Sequence, residues 1–361
     1  MTTSPLIIRT RGTAWHAFCL ALSAALVAGS THSAGAAALR SAGKAAKPKY
    51  CTQTSNDWYK GCTNSSEDDY WVAHAKCINL SNDAARSTCF DDARLLRREG
   101  AEDCKDVLDW RLSNCDKLGE GRYDPVIDPA DFEADYHSIS NPNPYFPLTI
   151  GNTWEYRSGN EVNTVEMLDY TKLISGVTCI VAEDLVYASG NLSEGTNDWF
   201  CQAMDGTVWY FGEETAVYET NPGDNPPLPE RVSIEGSFKQ GRDGNKGGII
   251  FLASPAVGDT YIEEAAIDEA EDATDILSTS YAYGSDPDLD ELVPIALANL
   301  MCAAHDCIVT RNYSQLKPDV FERKYYARGI GVFLETEPDA GEVLQLTNCN
   351  FDSRCSSLPQ P

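Results

Sequence analysis

DWFCQAMDGTVWYFGE (198–213) decides the fold. Asp205-Gly206 stands between two runs rich in Trp, Phe, Tyr and Val, a strong short-range signal for a β-hairpin. A two-residue turn there sets 204 against 207, 202 against 209 and 200 against 211. One face then carries Phe200, Gln202, Trp209 and Phe211. The other carries Trp199, Cys201, Ala203, Val208 and Tyr210. Both faces are apolar, whereas a sheet with one solvated side alternates. The pattern predicts cover on both sides, or a core on one side and a ligand groove on the other. Trp199, Phe200, Trp209, Tyr210 and Phe211 are therefore the candidate ligand-binding residues.

Working outward, TWEYRS, NTVEMLDYTKLI, TCIVAEDLVYA and VFLETE also read as strands, broken by Gly, Pro and Asn. A three-residue loop at Ser189-Gly190-Asn191 places 188 opposite 192 and Cys179 opposite Cys201, which predicts a cross-strand disulfide. Residues 222–248 read as a long loop, and LVPIALANLMCAA (292–304) as a short buried helix, too short to span a bilayer. Residues 142–349 thus form a mainly antiparallel β-domain, a curved sheet or half-barrel, with 350–361 as a tail. Cys302–Cys307 would close a small loop, and Cys349–Cys355 would pin the tail.

Upstream the texture is different. Cys51, Cys62, Cys77, Cys89, Cys104 and Cys115 are spaced as a palindrome, which is what an antiparallel pairing requires. Residues 66–80 and 83–118 look helical, with Ser81-Asn82 as turn and N-cap and Gly119 as terminator. The expected pairs are 77–89, 62–104 and 51–115. Gly61 and the polar run Thr63–Ser66 argue against helix over 51–62. The reading is a disulfide-stapled helical hairpin over 51–119, then a linker over 120–141. The whole is an α+β chain. Cysteine spacings of 11–15 do not chelate one ion, so a metal cluster is not expected here.

The first residues run basic (Arg9, Arg11), apolar (CLALSAALVAG) and small (STHSAGAAAL), the order of an export signal. We read 1–36 as a signal peptide and 37–50 as a linker. Cys19 lacks the small-residue context of a lipid-modified cysteine. The expectation is an exported protein, periplasmic or extracellular, that does not span the membrane. The formal charge is −27, or −29 without Arg9 and Arg11. That excess of acid argues against nucleic acid and anionic lipid as partners. A hydrophobic fraction of 42% excludes a disordered chain.

The stretches LGEGRYDPVIDPADF (118–132), NPNPYFPLTIGNTWEY (141–156), DWFCQAMDGTVWYFGE, PAVGDTYIEE (255–264) and KYYARGIGVFLE (324–335) together resemble a family of exported bacterial proteins of unassigned chemistry. That resemblance implies a β-rich domain behind a cysteine-bearing helical segment and no activity. The YYARGIGVFLE end is also similar to the closing strands of LolA-like half-barrels, which implies a lipid-carrying shape. The alternative is a strand with a glycine bulge at Gly329 and Gly331.

No catalytic residue is assigned. His74, His137 and His305 lie outside the signal segment, and no nucleophile elbow, zincin, P-loop or dinucleotide motif occurs. Whether the chain is an enzyme stays open, and the reading leans towards no. Carboxylates are denser. Glu263, Glu264, Asp268, Glu271 and Asp272 are the candidate metal ligands, Ca2+ being the ion such oxygens suit; otherwise no cofactor is expected. Asp286, Asp288 and Asp290 have the alternate-acid look of a Ca2+ loop without its glycine. The preferred function is a non-catalytic binding protein with an aromatic, apolar cleft for an apolar small molecule or lipid. The alternatives are a cell-surface structural or interaction protein, with Ca2+ stabilising it and another surface protein as partner, and a carboxylate-dependent hydrolase acting through the acids of 263–275.

Overall fold

The computed structural model describes residues 48–361. The expected signal peptide, 1–36, lies outside the described residues. Two long helices come first, α1 (Tyr50–Ile78) and α2 (Asp83–Leu118). Helix α1 runs straight through Gly61 and the polar run, contrary to the sequence expectation. The hydroxyls there bond back along the helix, Ser55 to the Cys51 carbonyl and Thr63 to the Lys60 carbonyl, so they do not compete with it. Asn82 caps α2 by accepting from the Ala85 amide. Gly119, at φ 86°, ends it.

The helical pair has almost no apolar interior. Its buried residues are Ser55, Trp58 and Cys77 on α1, and Ala93, Cys104, Val107, Arg111, Asn114 and Cys115 on α2. Disulfides Cys51–Cys115, Cys62–Cys104 and Cys77–Cys89 stand where a core would be. Each contributes about 2–4 kcal/mol in a hairpin of this kind.

The remainder is one sheet. Its strands are β1 (Thr153–Ser158), β2 (Glu161–Ile174), β3 (Val177–Ala188), β4 (Asn191–Gln202), β5 (Val208–Thr220), β6 (Pro229–Ser233), β7 (Lys246–Phe251), β8 (Thr260–Ile262), β9 (Glu264–Ala265), β10 (Asp272–Tyr281), β11 (Cys307–Ser314), β12 (Glu322–Ala327), β13 (Gly331–Glu337) and β14 (Glu342–Cys349). A short helix α3 (Ile295–Met301) lies between β10 and β11. All pairings are antiparallel, in the order β8-β10-β11-β12-β13-β14-β1-β2-β3-β4-β5-β7-β9, with β6 on β5. The two ends of that order are neighbours in the chain, because β8 and β9 flank Glu263. The sheet therefore curls until it is nearly barrel-shaped. Gly248 permits the approach, since a Cβ there would strike the Ile262 and Glu263 carbonyls.

Two turns differ from the sequence expectation, each by one residue. The β3–β4 turn has two residues, Ser189 and Gly190, both at positive φ, so Ala188 faces Asn191. A bulge near Ser193 then restores the register that sets Ile180 opposite Phe200, and Cys179 is bonded to Cys201. The β4–β5 turn has three residues, 204–206, closed by Ala203 N–H to the Thr207 carbonyl (2.8 Å), with Gly206 at φ 97°. Phe200 accordingly faces Tyr210, and Cys201 faces Trp209. One residue of slip moves a whole strand to the other face. Gly329 belongs to the turn between β12 and β13 rather than to a bulge within one strand. The supposed long loop at 222–248 contains β6 and the start of β7.

The stretch expected to be a linker is a strap. Phe132 packs with Ile174, Val177, Val181, Trp199 and Phe211 on the outer face of the sheet. From there the chain turns over one rim, and Tyr136, Tyr145, Phe146 and Leu148 join Phe200, Phe251 and Tyr326 in the main core. The tail joins the same core through Cys355, which is bonded to Cys349. Cys302 and Cys307 close the loop after α3. That end of the barrel, where the turns 175–176, 203–207 and 328–330 lie, is filled with apolar side chains.

Candidate functional site

The opposite end of the barrel interior is acidic. Alternation along each strand fixes which side chains face inward. Phe200 and Tyr210 pack in the main core and face each other. On β4, Phe200 shares its face with Asp198, Thr196 and Glu194. Across the ladder these meet Ala182, Asp184 and Val186 on β3, and Glu213, Thr215 and Val217 on β5. On the far wall Thr274 of β10 faces Asn312 of β11, which faces Glu322 of β12, and Thr310 faces Lys324. Lys324 in turn faces Glu335 of β13. Glu263, Glu264 and Asp272 complete this wall where the barrel closes. Asp184, Glu194, Asp198, Glu213, Glu263, Glu264, Asp272, Glu322 and Glu335 thus share the barrel interior with Lys324, which lies among Glu335, Glu322, Glu263 and Asp198.

A bulge shapes the β5 side. Asp198 faces Glu213 while Phe200 faces Tyr210, so Phe211 and Gly212 oppose Trp199 alone. Gly212 sits at φ 118°, and a Cβ there would strike the Phe238 carbonyl. The extra residue puts Tyr210 and Glu213, three apart in sequence, on one face. Tyr210 Oη lies 2.5 Å from Asp198 Oδ1 and 2.8 Å from Glu213 Oε2. A phenol has one proton to give. It serves one carboxylate at a time, and the second contact is satisfied when Glu213 is itself protonated. Burial first, and Asp198 second, hold the Glu213 carboxyl well above the usual range. Burial pushes Asp198 up to about 6, against the bond from Tyr210.

The other walls follow the same physics. Burial pushes Glu194, Glu263 and Glu322 up to about 7. Burial and Asp198 raise Asp184, which also accepts from Asn163 Nδ2 at 2.5 Å. Burial and Asp272 raise Glu264. For Lys324, burial would lower the ammonium, but Glu335 and Glu322 outweigh it and hold it well above the lysine range. Lys324 Nζ is 3.8 Å from Glu335 and 3.9 Å from Glu322. These side chains are enclosed by the barrel yet keep accessible surface: 26% for Lys324, 33% for Glu322 and 17% for Glu335. Groups walled in by protein and still reachable by water mark an opening at this end of the barrel, here called the lumen, rather than a fully packed core.

The acidic run 263–275 splits between two tasks. Glu263 accepts from Thr274 Oγ1 and Asn312 Nδ2 inside the barrel. Glu271 points outward and pairs with Arg111 of α2 at 2.7 Å, both nearly fully buried. Asp268 accepts from Trp58 Nε1, and Asp275 pairs with Lys117. The outward acids thus dock the helical hairpin, and the inward ones line the lumen. Among the described residues no three His, Cys, Asp or Glu side chains are placed to hold a metal ion. Asp290, of the second acidic run, accepts from Tyr281 Oη and the Gly284 amide.

Of the aromatic candidates, Trp199 (3% exposed) and Phe211 (0%) lie in the outer cluster under the strap, with Trp209 packed beside them. Phe200 and Tyr210 lie in the barrel core, where their rings stack at 5.3 Å. The two-sided apolar hairpin is therefore covered on both sides. Only the Tyr210 hydroxyl reaches the acidic group. The inward carboxylates of β3, β4, β5, β12 and β13 escaped the sequence reading. The alternation AEDLV (182–186) and SEGTNDWF (193–200) carries them, but it looks the same as a solvated face.

No family model matches the chain, and no curated protein matches it. Among solved structures it is similar to a putative lipoprotein from Parabacteroides distasonis ATCC 8503, at 9% identity and a TM-score of 0.26, over 58% of this chain and 100% of that one. The likeness is too slight to carry an argument. The six disulfides point to an exported protein, since such bonds persist in oxidising compartments. No described helix is long and apolar enough to cross a membrane.

Proposed function

We propose that this is an exported, non-catalytic binding protein that holds a small polar ligand in the acidic half of its barrel. The observation that carries the reading is the set of enclosed but accessible charged side chains around Lys324. Burying ionisable groups is costly unless they are paired or used. An apolar ligand is less well served, because the aromatic side chains that would grip it are already packed against each other. Export to the periplasm or beyond fits a binding protein of this kind.

Native mass spectrometry with a panel of amines, amino acids, sugars and small acids tests the reading. The wild type should hold an added or co-purified small molecule. A Thr196→Trp variant, which fills the lumen from β4, should lose it. A panel that gives neither an adduct nor a thermal shift with the wild type would sink the proposal.

A further inference from the structure

The charge balance of the lumen narrows the ligand class, and this step rests on the binding reading above. Positive charge is scarce there. Lys324 is shared by Glu335, Glu322 and Glu263, while the acids face one another: Asp184 towards Asp198 and Glu194, Glu264 towards Asp272 and Glu213. An anionic ligand would add to that repulsion, and a neutral one would leave it in place. A ligand bearing N–H donors and positive charge would relieve it and pair charge with charge in a weakly screened site.

A second observation is independent of the acids. Tyr261 is 9% exposed, and its hydroxyl makes only a loose contact with Thr274 in place of a well-formed hydrogen bond. It faces Thr274 across the ladder and so lies on the lumen side, with Glu263 two residues on. A buried hydroxyl without a well-formed hydrogen bond is expensive. A bare metal ion is poorly served, because no three ligating side chains converge among the described residues. An ammonium needs only acceptors, and carboxylates with a phenol oxygen supply them.

We propose that the lumen binds a small organic cation of the primary-amine or polyamine class, its ammonium groups lodged among Asp184, Asp198, Glu264 and Tyr261. Isothermal titration of the full chain tests this, with spermidine, CaCl2 and the neutral disaccharide trehalose as separate probes. It is run in 150 mM NaCl, because the acidic surface attracts any cation and salt screens that attraction. A surface control, Glu102→Gln with Asp103→Asn on the exposed face of α2, should bind spermidine within about twofold of the wild type. The lumen variant Asp184→Asn with Asp198→Asn, and separately Glu264→Gln, should bind it at least tenfold more weakly. All are near-isosteric amides, and melting curves check that they fold. Equal weakening in control and lumen variants would reduce the effect to surface attraction and overturn the proposal. Lumen-dependent binding of Ca2+ or trehalose without spermidine would overturn the amine class and leave the binding reading standing. The absence of lumen-dependent heat with any of the three would also overturn the amine class; the native-mass-spectrometry panel then judges the binding reading separately.

Discussion

The two ends of the barrel are built from the same strands and obey opposite rules. At one end β4 and β5 bring Phe200, Val208 and Tyr210 against Phe251, Tyr145 and Leu148. At the other, a few residues along, they bring Asp198, Glu194 and Glu213 against Lys324 and the acids of β12 and β13. The strap 129–150 and the tail supply the apolar end with partners for its inward side chains. The acidic end has no such plug among the described residues, and its inward positions are filled by groups that need water, protons or a counter-ion. A barrel wide enough to leave a lumen is stable when one end is packed, and the other end is then available for recognition.

The largest expected effect breaks the packed end. Phe251 is fully buried and lies near Tyr145, Phe146 and Tyr326. Phe251→Ala should cost about 3–5 kcal/mol by urea unfolding. The loss should be the same at pH 5 and pH 8, since no titrating group is removed. A strong pH dependence would show that the two ends are not separable.

Lys324→Met addresses the acidic end. It removes the cation shared by Glu335, Glu322 and Glu263, and the cost should be on the order of 2 kcal/mol at pH 8, discounted for the water that reaches these groups. At pH 5 more of the neighbouring acids are protonated and the cost should largely vanish. A loss of equal size at both pH values would mean that Lys324 acts through packing alone.

Glu213→Gln should act with the opposite sign and less strongly. The amide can donate to Tyr210 Oη as the protonated carboxyl does, and it cannot ionise. The variant should be more stable than the wild type at pH 8, by about 1 kcal/mol, and the difference should shrink to nothing as the pH falls below the unfolded value of 4.5. Destabilisation at pH 8 would show that an ionised Glu213 is the form the fold prefers.

Much of the fold was legible in the sequence. The cysteine palindrome is the antiparallel pairing of α1 and α2 written as spacing. The turn residues at 189–191 and 205–206 marked real hairpins. Register was harder, because one residue of bulge leaves no mark in composition. At Ser193 the bulge cancels a turn that is one residue shorter than expected. At 204–206 the turn is one residue longer than expected, and the faces of β5 are exchanged until the bulge at Phe211 and Gly212 restores the register. The acidic lumen was illegible for a different reason. Period two says that a strand has two faces, but it does not say that the polar face points inward. Glu194, Thr196 and Asp198 look the same in sequence whether they meet solvent or a lumen. The acids of 263–275 were noticed as a cluster, yet only the closure of the sheet separates Glu263, Glu264 and Asp272 from Asp268, Glu271 and Asp275.

The central claim is that carboxylates enclosed at one end of the barrel hold their protons more tightly folded than unfolded. For Glu194, Glu263 and Glu322, raised to about 7 from 4.5, and Asp198, raised to about 6 from 3.8, the folded state binds the extra protons between those values. Their contribution to stability is full below the unfolded values and is lost as pH rises through the folded ones. Glu120 and Asp352 are shifted downward instead, and they act below that window. Urea unfolding of the wild-type chain at intervals from pH 5 to pH 8 reads this directly. The account predicts a free energy of unfolding that falls steadily as the pH rises, by a few kcal/mol at most after solvent screening. A free energy that is flat or rises over the same range would contradict it.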